Sequence, residues 1–180
     1  MKKLAVLVYH KNALDLYPEL WIRQAVDSIE GQSFRDFTIL ELNYGDGQER
    51  FTEGDFFSYE LPNHIHALNA LITYAFNEGF ECCANINLDD VNHPRRFEKQ
   101  FAKIQEGYQL VSSNFRYFGD VEKEMIMTKF GDIGENLRRN HNVIAHPAVM
   151  MHRSFWDEDL HYRDLLGFED LDLWKRAWRK

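Results

Sequence analysis

The feature that most constrains this chain is one stretch, Phe80–Gln100, in which an apolar run meets two carboxylates and then a proline. The run Phe80–Ile86 has the length and the content of a buried β-strand. Asp89 and Asp90 follow it with almost no spacer, and Pro94 suits the first turn of a helix. A strand that ends in carboxylates just before a helix places negative oxygens at the carboxyl edge of a sheet, where open α/β folds bind ligands.

The oxygens at this edge favour a hard divalent ion. If the strand geometry persists to its tip, Asn87 and Asp89 point to one side of the sheet and Asp90 points to the other. Two carboxylates and an amide oxygen suit Mg²⁺ or Mn²⁺ carrying a substrate phosphate. On spacing alone, however, turn and helix-cap chemistry explains an Asp-Asp pair better than a metal site does.

The rest of the chain alternates between predicted strands and helices, which indicates an α/β fold with a mainly parallel sheet covered by helices. The predicted strands are Leu4–Tyr9, Phe37–Leu42, Phe80–Ile86, Gln109–Ser113 with an extension toward Phe118, and a returning strand at Met125–Phe130. The predicted helices are one from Pro18 to a stop at Gly31, then His66–Asn77, Pro94–Glu106, Asp132–Arg139 and Phe168–Lys180. Between them, Glu49–Asn63 reads as a loop with one short strand, and Phe155–Gly167 reads as a charged loop.

Charge and hydropathy exclude several classes of partner. The formal net charge is −8, and no basic stripe precedes the last six residues, so a nucleic acid partner is disfavoured. No apolar run approaches the roughly 18 residues of a membrane span, and the apolar part of the N-terminus is too short for a signal peptide. Cys82 and Cys83 are adjacent within an apolar run, which is typical of small buried hydrophobic residues in a reducing compartment. We therefore expect a cytoplasmic protein without a membrane span.

Three other segments place polar residues next to apolar runs. They are the Leu42–Gly47 turn, His146-Pro147, and the acidic start of the last predicted helix at Gly167–Trp174. Each has an ordinary structural explanation when taken alone. The first is a plain turn, and a lone histidine beside an apolar run is more often a satisfied core residue than a ligand. Acids at the start of a helix that ends in basic residues are favoured by the helix dipole.

Taken together and in this order, these segments resemble a family 2 glycosyltransferase with the GT-A fold, over nearly the whole chain. The specific blocks are Asp89-Asp90 with His93-Pro94-Arg95-Arg96-Phe97-Glu98-Lys99-Gln100, then Asn142–Met150 with its His146-Pro147, and finally Glu169-Asp170-Leu171-Asp172-Leu173-Trp174. The looser blocks are Leu4–Asn12, the strand into Asn43–Gly47, Asp27-Ser28-Ile29 with Gln32-Ser33-Phe34, and His66-Ala67-Leu68-Asn69.

The resemblance implies a Rossmann-like, mainly parallel twisted sheet with helices on both faces and a small antiparallel addition in the second half. It implies one domain over residues 1–180, in which residues 1–90 bind the nucleotide-sugar and residues 91–180 face the acceptor. The implied activity is that of an inverting hexosyltransferase, which moves a sugar from a UDP-linked donor to a hydroxyl of a glycan or glycoconjugate.

The resemblance also implies roles for individual residues. Asp89 and Asp90 would hold Mn²⁺ or Mg²⁺ on the donor diphosphate, and Asp170, with Glu169 beside it, would act as the base that deprotonates the acceptor hydroxyl. The residues implied in donor and nucleotide binding are Tyr9, His10, Asn12, Asn43, Asn69, Asn87 and Leu88. His146 and Trp174 would lie on the donor-phosphate or acceptor side.

Two departures from the family pattern keep an alternative open. The family usually has an acid where this chain has Asn43 and again where it has Asn87, and an amide keeps one acceptor oxygen but loses the charge. The chain also stops within one helix of Glu169-Asp170, so we expect part of the acceptor-side wall to be open or supplied by a second subunit, as in a homodimer. The alternative is a catalytically weak or inactive glycosyltransferase-like module that binds nucleotide or sugar. A nucleotidyltransferase would need a Gly-rich phosphate loop near the first strand, and the sequence has none there.

Overall fold

The computed structural model describes residues 2–119, 121–127, 131–156 and 159–180, and all structural statements below concern these residues. Their strands are β1 (Lys2–His10), β2 (Phe37–Asn43), β3 (Asp55–Ser58), β4 (Phe80–Ile86), β5 (Leu110–Val111), β6 (Phe115–Tyr117), β7 (Lys123–Met125) and β8 (Met150–His152). Their helices are α1 (Glu19–Glu30), α2 (His64–Asn77), α3 (Arg96–Gln105), α4 (Ile133–Arg138) and α5 (Glu169–Arg179).

Six of the strands form one mixed sheet in the order β3-β2-β1-β4-β8-β5. Strands β1 to β4 pair in parallel, whereas β8 runs antiparallel to both β4 and β5. Because β2 and β3 add on one side of β1 and β4 adds on the other, the winding of the sheet reverses between β1 and β4. A reversal of this kind opens a crevice at the carboxyl ends of the two strands.

The centre of the sheet is buried on both faces. Leu4–Val8 of β1 are fully buried, as expected for the near-continuous apolar run of a central parallel strand. Ala5 and Leu7 pack on the face covered by α2 and α5, while Val6 and Val8 pack on the face covered by α1 and α3. The predicted arrangement of helices on both faces is therefore confirmed.

The predicted elements of the first half agree closely with the structure. The short strand expected within Glu49–Asn63 is β3, and α2 begins two residues earlier than predicted because the side chain of Asn63 caps it. The helix predicted from Pro94 begins only at Arg96, since the Pro94 carbonyl instead accepts a hydrogen bond of 2.8 Å from the Ser33 N–H.

The second half corrects one prediction. The strand expected from Gln109 toward Phe118 is two short strands in different sheets: β5 belongs to the main sheet, and β6 pairs with β7 in a separate antiparallel ribbon. The returning strand, β7, begins at Lys123, two residues before the predicted start at Met125, and the predicted end at 128–130 lies outside the described residues. The expected antiparallel addition is present, but it consists of β8 beside β4 as well as this ribbon.

No helix within the described residues is long and apolar enough to cross a membrane.

Candidate active site

A cleft of about 270 Å³ lies where the winding of the sheet reverses. Its walls come from the end of β1, the turn after β2, the start of α2, the turn after β4, the segment before β8 and the start of α5. The lining residues are Tyr9, His10, Lys11, Leu16, Tyr17, Tyr44, His64, Asn87, Leu88, His146 and Glu169. Six residues predicted for the site are therefore brought together here: Tyr9, His10, Asn87, Leu88, His146 and Glu169.

Asn12 follows β1 and Asn43 is the last residue of β2, so both lie near the end of the cleft that these two strands form, here called the first end. The side-chain oxygen of Asn43 accepts hydrogen bonds from the N–H groups of Asn12, at 3.3 Å, and Gly45, at 2.9 Å. The side-chain oxygen of Asn12 accepts one from the Gly47 N–H at 3.1 Å. A Cβ at Gly45 would stand 2.5 Å from that oxygen, so any other residue there would displace the side chain of Asn12.

Glu41 is a buried carboxylate beneath this end that the sequence analysis did not single out. It accepts hydrogen bonds from His10 Nε2 at 3.2 Å, from the N–H groups of Phe51 and Thr52 at 2.8 Å each, and from Thr52 Oγ1 at 2.7 Å. Burial alone would raise the pKa of Glu41, but the hydrogen bonds from His10, Thr52 and Phe51 outweigh burial and lower it. A single acid within the apolar run Phe37–Leu42 was the signal that could have revealed it.

The turn after β4 differs from the expected extension of the strand. The strand ends at Ile86, and the Asp90 N–H donates to the Asn87 carbonyl at 3.3 Å, which closes a turn. The predicted alternation of Asn87, Asp89 and Asp90 about a continuing strand is therefore wrong, because this hydrogen bond turns the chain. Burial raises the pKa of Asp90, Asp89 adds to the rise, and Arg96 and Asn87 oppose it.

The acids of this turn lie close to two tyrosines that line the cleft, Tyr9 and Tyr17. Burial raises the pKa of Tyr17, and the charges of Asp89 and Asp90 raise it further. Burial also raises the pKa of Tyr9, with contributions from both Asp90 and Glu169. Tyr9 is therefore within electrostatic reach of acids from two segments that are distant in the chain.

Glu169 and Asp170 open α5 and are held differently. Glu169 pairs with His64 Nε2 at 3.1 Å and accepts a hydrogen bond of 2.8 Å from the Gly167 N–H. The carboxylate of Asp170 accepts hydrogen bonds from the side-chain nitrogen of Asn142 at 2.5 Å and from the Leu171 N–H at 2.6 Å. Glu169 lines the cleft, whereas Asp170 is half-buried beside it.

His146 lies on the floor of the cleft, in a short 3₁₀ turn before β8. Its Nε2 is 3.3 Å from the side-chain nitrogen of the buried Asn85, and its ring meets the edge of Tyr162 at a centroid distance of 5.3 Å. Burial lowers the pKa of His146, although Asp170 and Glu169 raise it. Because Nε2 faces an amide N–H, the ring accepts there and is held neutral.

Seven predicted site residues do not line the cleft: Asn12, Asn43, Asn69, Asp89, Asp90, Asp170 and Trp174. Of these, Asn69 and Trp174 serve contacts within the fold. Asn69 uses its amide to clamp the backbone of Tyr162, with hydrogen bonds of 2.8 Å to the carbonyl and 3.1 Å from the N–H. Trp174 is 1% exposed and packs against Phe155 and Tyr162 in the core. It lines a separate apolar cavity of about 250 Å³ near Trp178 rather than the cleft.

Arg96 is a buried cation for which the sequence predicted no role of its own beyond membership of the block His93–Gln100. Its guanidinium donates to the side chains of Asn92 at 2.5 Å and Gln100 at 3.1 Å, and to the carbonyls of Asn85 at 3.1 Å and Val149 at 3.3 Å. Burial lowers the pKa of Arg96 to about 10, so it remains charged at neutral pH. It therefore joins α3 to the ends of the segments that carry the Asp89–Asp90 turn and His146.

The carboxylates present fit a phosphate-bridged metal ion but not a metal cage made by protein alone. The described residues contain no group of three or more His, Cys, Asp or Glu side chains placed to hold a metal. Mg²⁺ and similar ions are commonly held by one or two carboxylates together with substrate phosphates, and Asp89 and Asp90 supply that number.

No protein-family model matches the chain, and no curated protein matches it in sequence. Solved structures do match. TarS 1–349 of S. aureus in complex with UDP-GlcNAc has a TM-score of 0.72 at 15% identity, over 98% of this chain and 53% of that one. The mannosyltransferase PcManGT of Pyrobaculum calidifontis, in complex with GDP-Man and Mn²⁺, has a TM-score of 0.64 at 12% identity, over 97% of this chain and 51% of that one. A putative nucleotide-diphospho-sugar transferase of Desulfovibrio desulfuricans G20 has a TM-score of 0.60 at 10% identity, over 98% of this chain and 77% of that one.

This chain thus spans about half the length of the TarS 1–349 and PcManGT chains. The similarity covers nearly all of the present sequence and includes the sheet whose reversal forms the cleft. The expected fold is confirmed: this chain has the GT-A glycosyltransferase fold.

Proposed function

We propose that the protein transfers a sugar from a UDP-linked nucleotide-sugar to a hydroxyl of a glycan or glycoconjugate, with metal assistance and inversion at the anomeric carbon. The observation that supports the proposal is the cleft at the reversal of the sheet, which Asn87, His146 and Glu169 line from three distant parts of the chain. Asp90 and Asp170 do not line the cleft, but they are close enough to influence the pKa of Tyr9 and of His146 respectively. In this arrangement residues 1–90 hold the donor and residues 91–180 face the acceptor.

The donor occupies the length of the cleft. Its nucleoside lies toward Tyr9, His10 and Tyr44, and its diphosphate lies toward the turn after β4. Asp89 and Asp90 would hold Mn²⁺ or Mg²⁺ on the diphosphate. A bound ion supplies Lewis-acid stabilisation of the charge that develops on the leaving nucleotide. Asn87, which lines the cleft before these acids, contributes an amide oxygen where a third carboxylate would otherwise stand.

The acceptor hydroxyl attacks the anomeric carbon from the α5 side. As the new C–O bond forms, the bond from the anomeric carbon to the diphosphate breaks, and the hydroxyl proton passes to the carboxylate of Asp170. Asn142 orients Asp170 through their hydrogen bond. Glu169 lines the cleft and pairs with His64, which suits it to contact bound sugar.

A non-catalytic module is the second candidate, and the two amides favour it. Both Asn43 and Asn87 stand where a carboxylate would strengthen the binding of a metal–nucleotide complex. The side-chain oxygen of Asn43 already accepts two backbone hydrogen bonds, so only its nitrogen is left for a ligand. Under this alternative the cleft binds nucleotide or sugar without transferring it.

Calorimetry against UDP-GlcNAc, UDP-glucose and GDP-mannose, each with and without Mn²⁺, tests the proposal together with an assay of donor turnover. We expect Mn²⁺-dependent binding of a UDP-linked donor and slow donor hydrolysis, both lost in Asp89→Ala. The control is Asp36→Ala, which removes an exposed acid at the far edge of the sheet. Binding without turnover would support the module, and the absence of binding to any nucleotide-sugar would refute both.

A further inference from the structure

A second cavity, of about 250 Å³, lies on the face of the sheet that α5 covers, between α4, α5 and the edge strand β5. Its floor is formed by the buried side chains of Leu137, Phe155 and Trp174. Gln109 contributes an amide at its edge, and no charged side chain of the described residues lines it. The cavity shares no lining residue with the cleft, and its apolar walls suit a hydrocarbon group rather than a sugar.

The mouth of this cavity is bordered by two large apolar side chains that reach solvent. Ile133 and Trp178 both line the cavity, and they are 52% and 46% exposed. The first turn of α4 packs closely on Trp178, since a Cβ at Gly134 would collide with its indole ring. Exposed apolar side chains that continue into an apolar cavity form the kind of patch that marks a binding site.

The helices at this mouth are basic in a chain that is acidic overall. Residues 132–139 and 174–180 include six basic and two acidic residues, whereas the formal net charge of the whole chain is −8. The guanidinium of Arg138 lies 5.7 Å from the ring centroid of Trp178. Arg138 forms no ion pair with a described residue, whereas its neighbour Arg139 pairs with Glu135. An unpaired cation beside the mouth attracts an anionic group.

We propose that this cavity binds a hydrocarbon chain that ends in an anionic group such as a carboxylate. The chain occupies the cavity between α4 and α5, and the carboxylate lies at the mouth, where Arg138 pairs with it. An apolar cavity of about 150 Å³ binds benzene, so this one accommodates a chain of about ten carbon atoms. The site lies outside the cleft and does not depend on the proposed function.

The test on the wild-type protein is calorimetry with straight-chain carboxylates from butanoate to dodecanoate, below the concentrations at which they aggregate. We expect the affinity to rise about threefold for each added methylene group and to level off near about ten carbons, where the cavity is full. Octanoate should bind about threefold more tightly than octanol, and about tenfold more tightly than octyltrimethylammonium, whose cation would face Arg138. An affinity that ignores chain length or the charge of the head group would overturn the proposal.

Two variants at exposed positions separate the contribution of the chain from that of the head group. Ile133→Glu places a carboxylate at the mouth, so octanoate should bind at least about tenfold more weakly. Its control is Leu20→Glu, at an exposed leucine of α1, which should behave like wild type. Arg138→Gln should weaken the binding of octanoate about threefold and leave that of octanol unchanged, whereas Arg23→Gln, on α1, should change neither.

A second copy of the chain is the competing occupant of this mouth. Sedimentation equilibrium distinguishes it, since a wild-type dimer that Ile133→Glu dissociates would overturn the proposal. Binding to vesicles of phosphatidylglycerol without binding to any of the carboxylates would overturn it as well, because the partner would then be a membrane surface. None of these measurements uses a nucleotide, so failure of this proposal leaves the proposed function intact, and failure of nucleotide binding leaves this proposal intact.

Discussion

The two ends of the cleft are held in different ways. At the end formed by β1 and β2, the polar groups are buried and bonded to one another, since Glu41 accepts four hydrogen bonds and the oxygen of Asn43 accepts two. At the end formed by the turn after β4 and the start of α5, Asp89 is exposed and Asp170 is half-buried. The first end is therefore held by buried hydrogen bonds, whereas the acids of the second end lie nearer to solvent.

The largest expected effect concerns Asp170, at the start of α5. We predict that Asp170→Asn lowers the rate of transfer by about 10²–10⁴-fold, the usual contribution of a general base. The free energy of unfolding should fall by only about 1 kcal/mol, because the amide oxygen keeps one of the two hydrogen bonds that the carboxylate accepts. Glu169→Gln should raise the KM for the acceptor more than it lowers kcat. The measurement is steady-state kinetics beside urea denaturation of each variant. Turnover retained in Asp170→Asn but lost in Glu169→Gln would transfer the role of base to Glu169.

The second prediction concerns Arg96, whose buried guanidinium joins α3 to the ends of the segments that carry the Asp89–Asp90 turn and His146. Arg96→Met keeps the length of the side chain but removes the donor to four acceptors, of which the Val149 carbonyl keeps a hydrogen bond from the Asn85 N–H. We therefore expect a loss of about 2–4 kcal/mol in the free energy of unfolding. Urea denaturation measures it, and Arg23→Met, which breaks only an exposed ion pair with Glu19, should lose less than about 0.5 kcal/mol. A loss in Arg96→Met as small as that of the control would show that the buried guanidinium contributes no net stability.

The third prediction concerns Glu41 and the pH dependence of the stability that its carboxylate contributes. Glu41→Gln replaces an acceptor oxygen by an N–H₂ group that faces donors, so we expect a loss of about 1–3 kcal/mol near neutral pH. The hydrogen bonds lower the pKa of Glu41 below its ordinary value of 4.5, so the folded protein binds a proton at this site less readily than the unfolded chain does. The stability that the carboxylate contributes is therefore present above pH 4.5 and is lost as the pH falls through the pKa of the folded state.

Urea denaturation of wild type and Glu41→Gln at several pH values checks this. The difference between the two proteins should shrink as the pH falls below about 4.5, the ordinary pKa of a glutamate. A difference that stays constant over this range would mean that folding does not change the pKa of Glu41.

How much of the fold could be predicted follows from how much of it is encoded locally. Apolar runs such as Leu4–Val8 and the amphipathic stripe of α1 encode their own structure, so the strands and helices of the first half were predicted within a few residues. The segment from Gln109 to Phe118 was predicted as one strand because its β-forming residues are nearly continuous. Pairing with β8 on one side and with β7 on the other divides it, and such long-range pairing leaves no local pattern.

The site could be predicted only in part, for the same physical reason. Residues that follow strands or open helices, such as His10, Asn87 and Glu169, are marked by an abrupt change from apolar to polar sequence, and they do line the cleft. His64, at the start of α2, also lines it, but an exposed histidine in a helix gives no sign of a partner 105 residues away. The buried Asn85 was hidden within the apolar run of β4, where one amide looks like an interruption.

The last prediction sets the amide of Asn87 against the acids beside it and carries the smallest effect. In Asn87→Asp a third carboxylate would lie near Asp89 and Asp90, so the ion-free protein should lose a little stability from mutual repulsion. A divalent ion on the donor diphosphate would remove that repulsion and gain a charged ligand, which we expect to tighten the Mn²⁺-dependent binding of UDP by roughly fivefold, or about 1 kcal/mol. Binding of UDP without Mn²⁺ should weaken instead, because a further negative charge would face the diphosphate.

Calorimetry with and without Mn²⁺ measures both changes in the affinity for UDP. The control is Asn77→Asp, which makes the same change of charge at the exposed end of α2. If Asn87→Asp tightens UDP binding with Mn²⁺ and weakens it without, while the control changes neither, the ion lies at the turn after β4. Weaker binding in both conditions would mean that Asn87 meets the diphosphate directly and that the ion, if one binds, lies elsewhere.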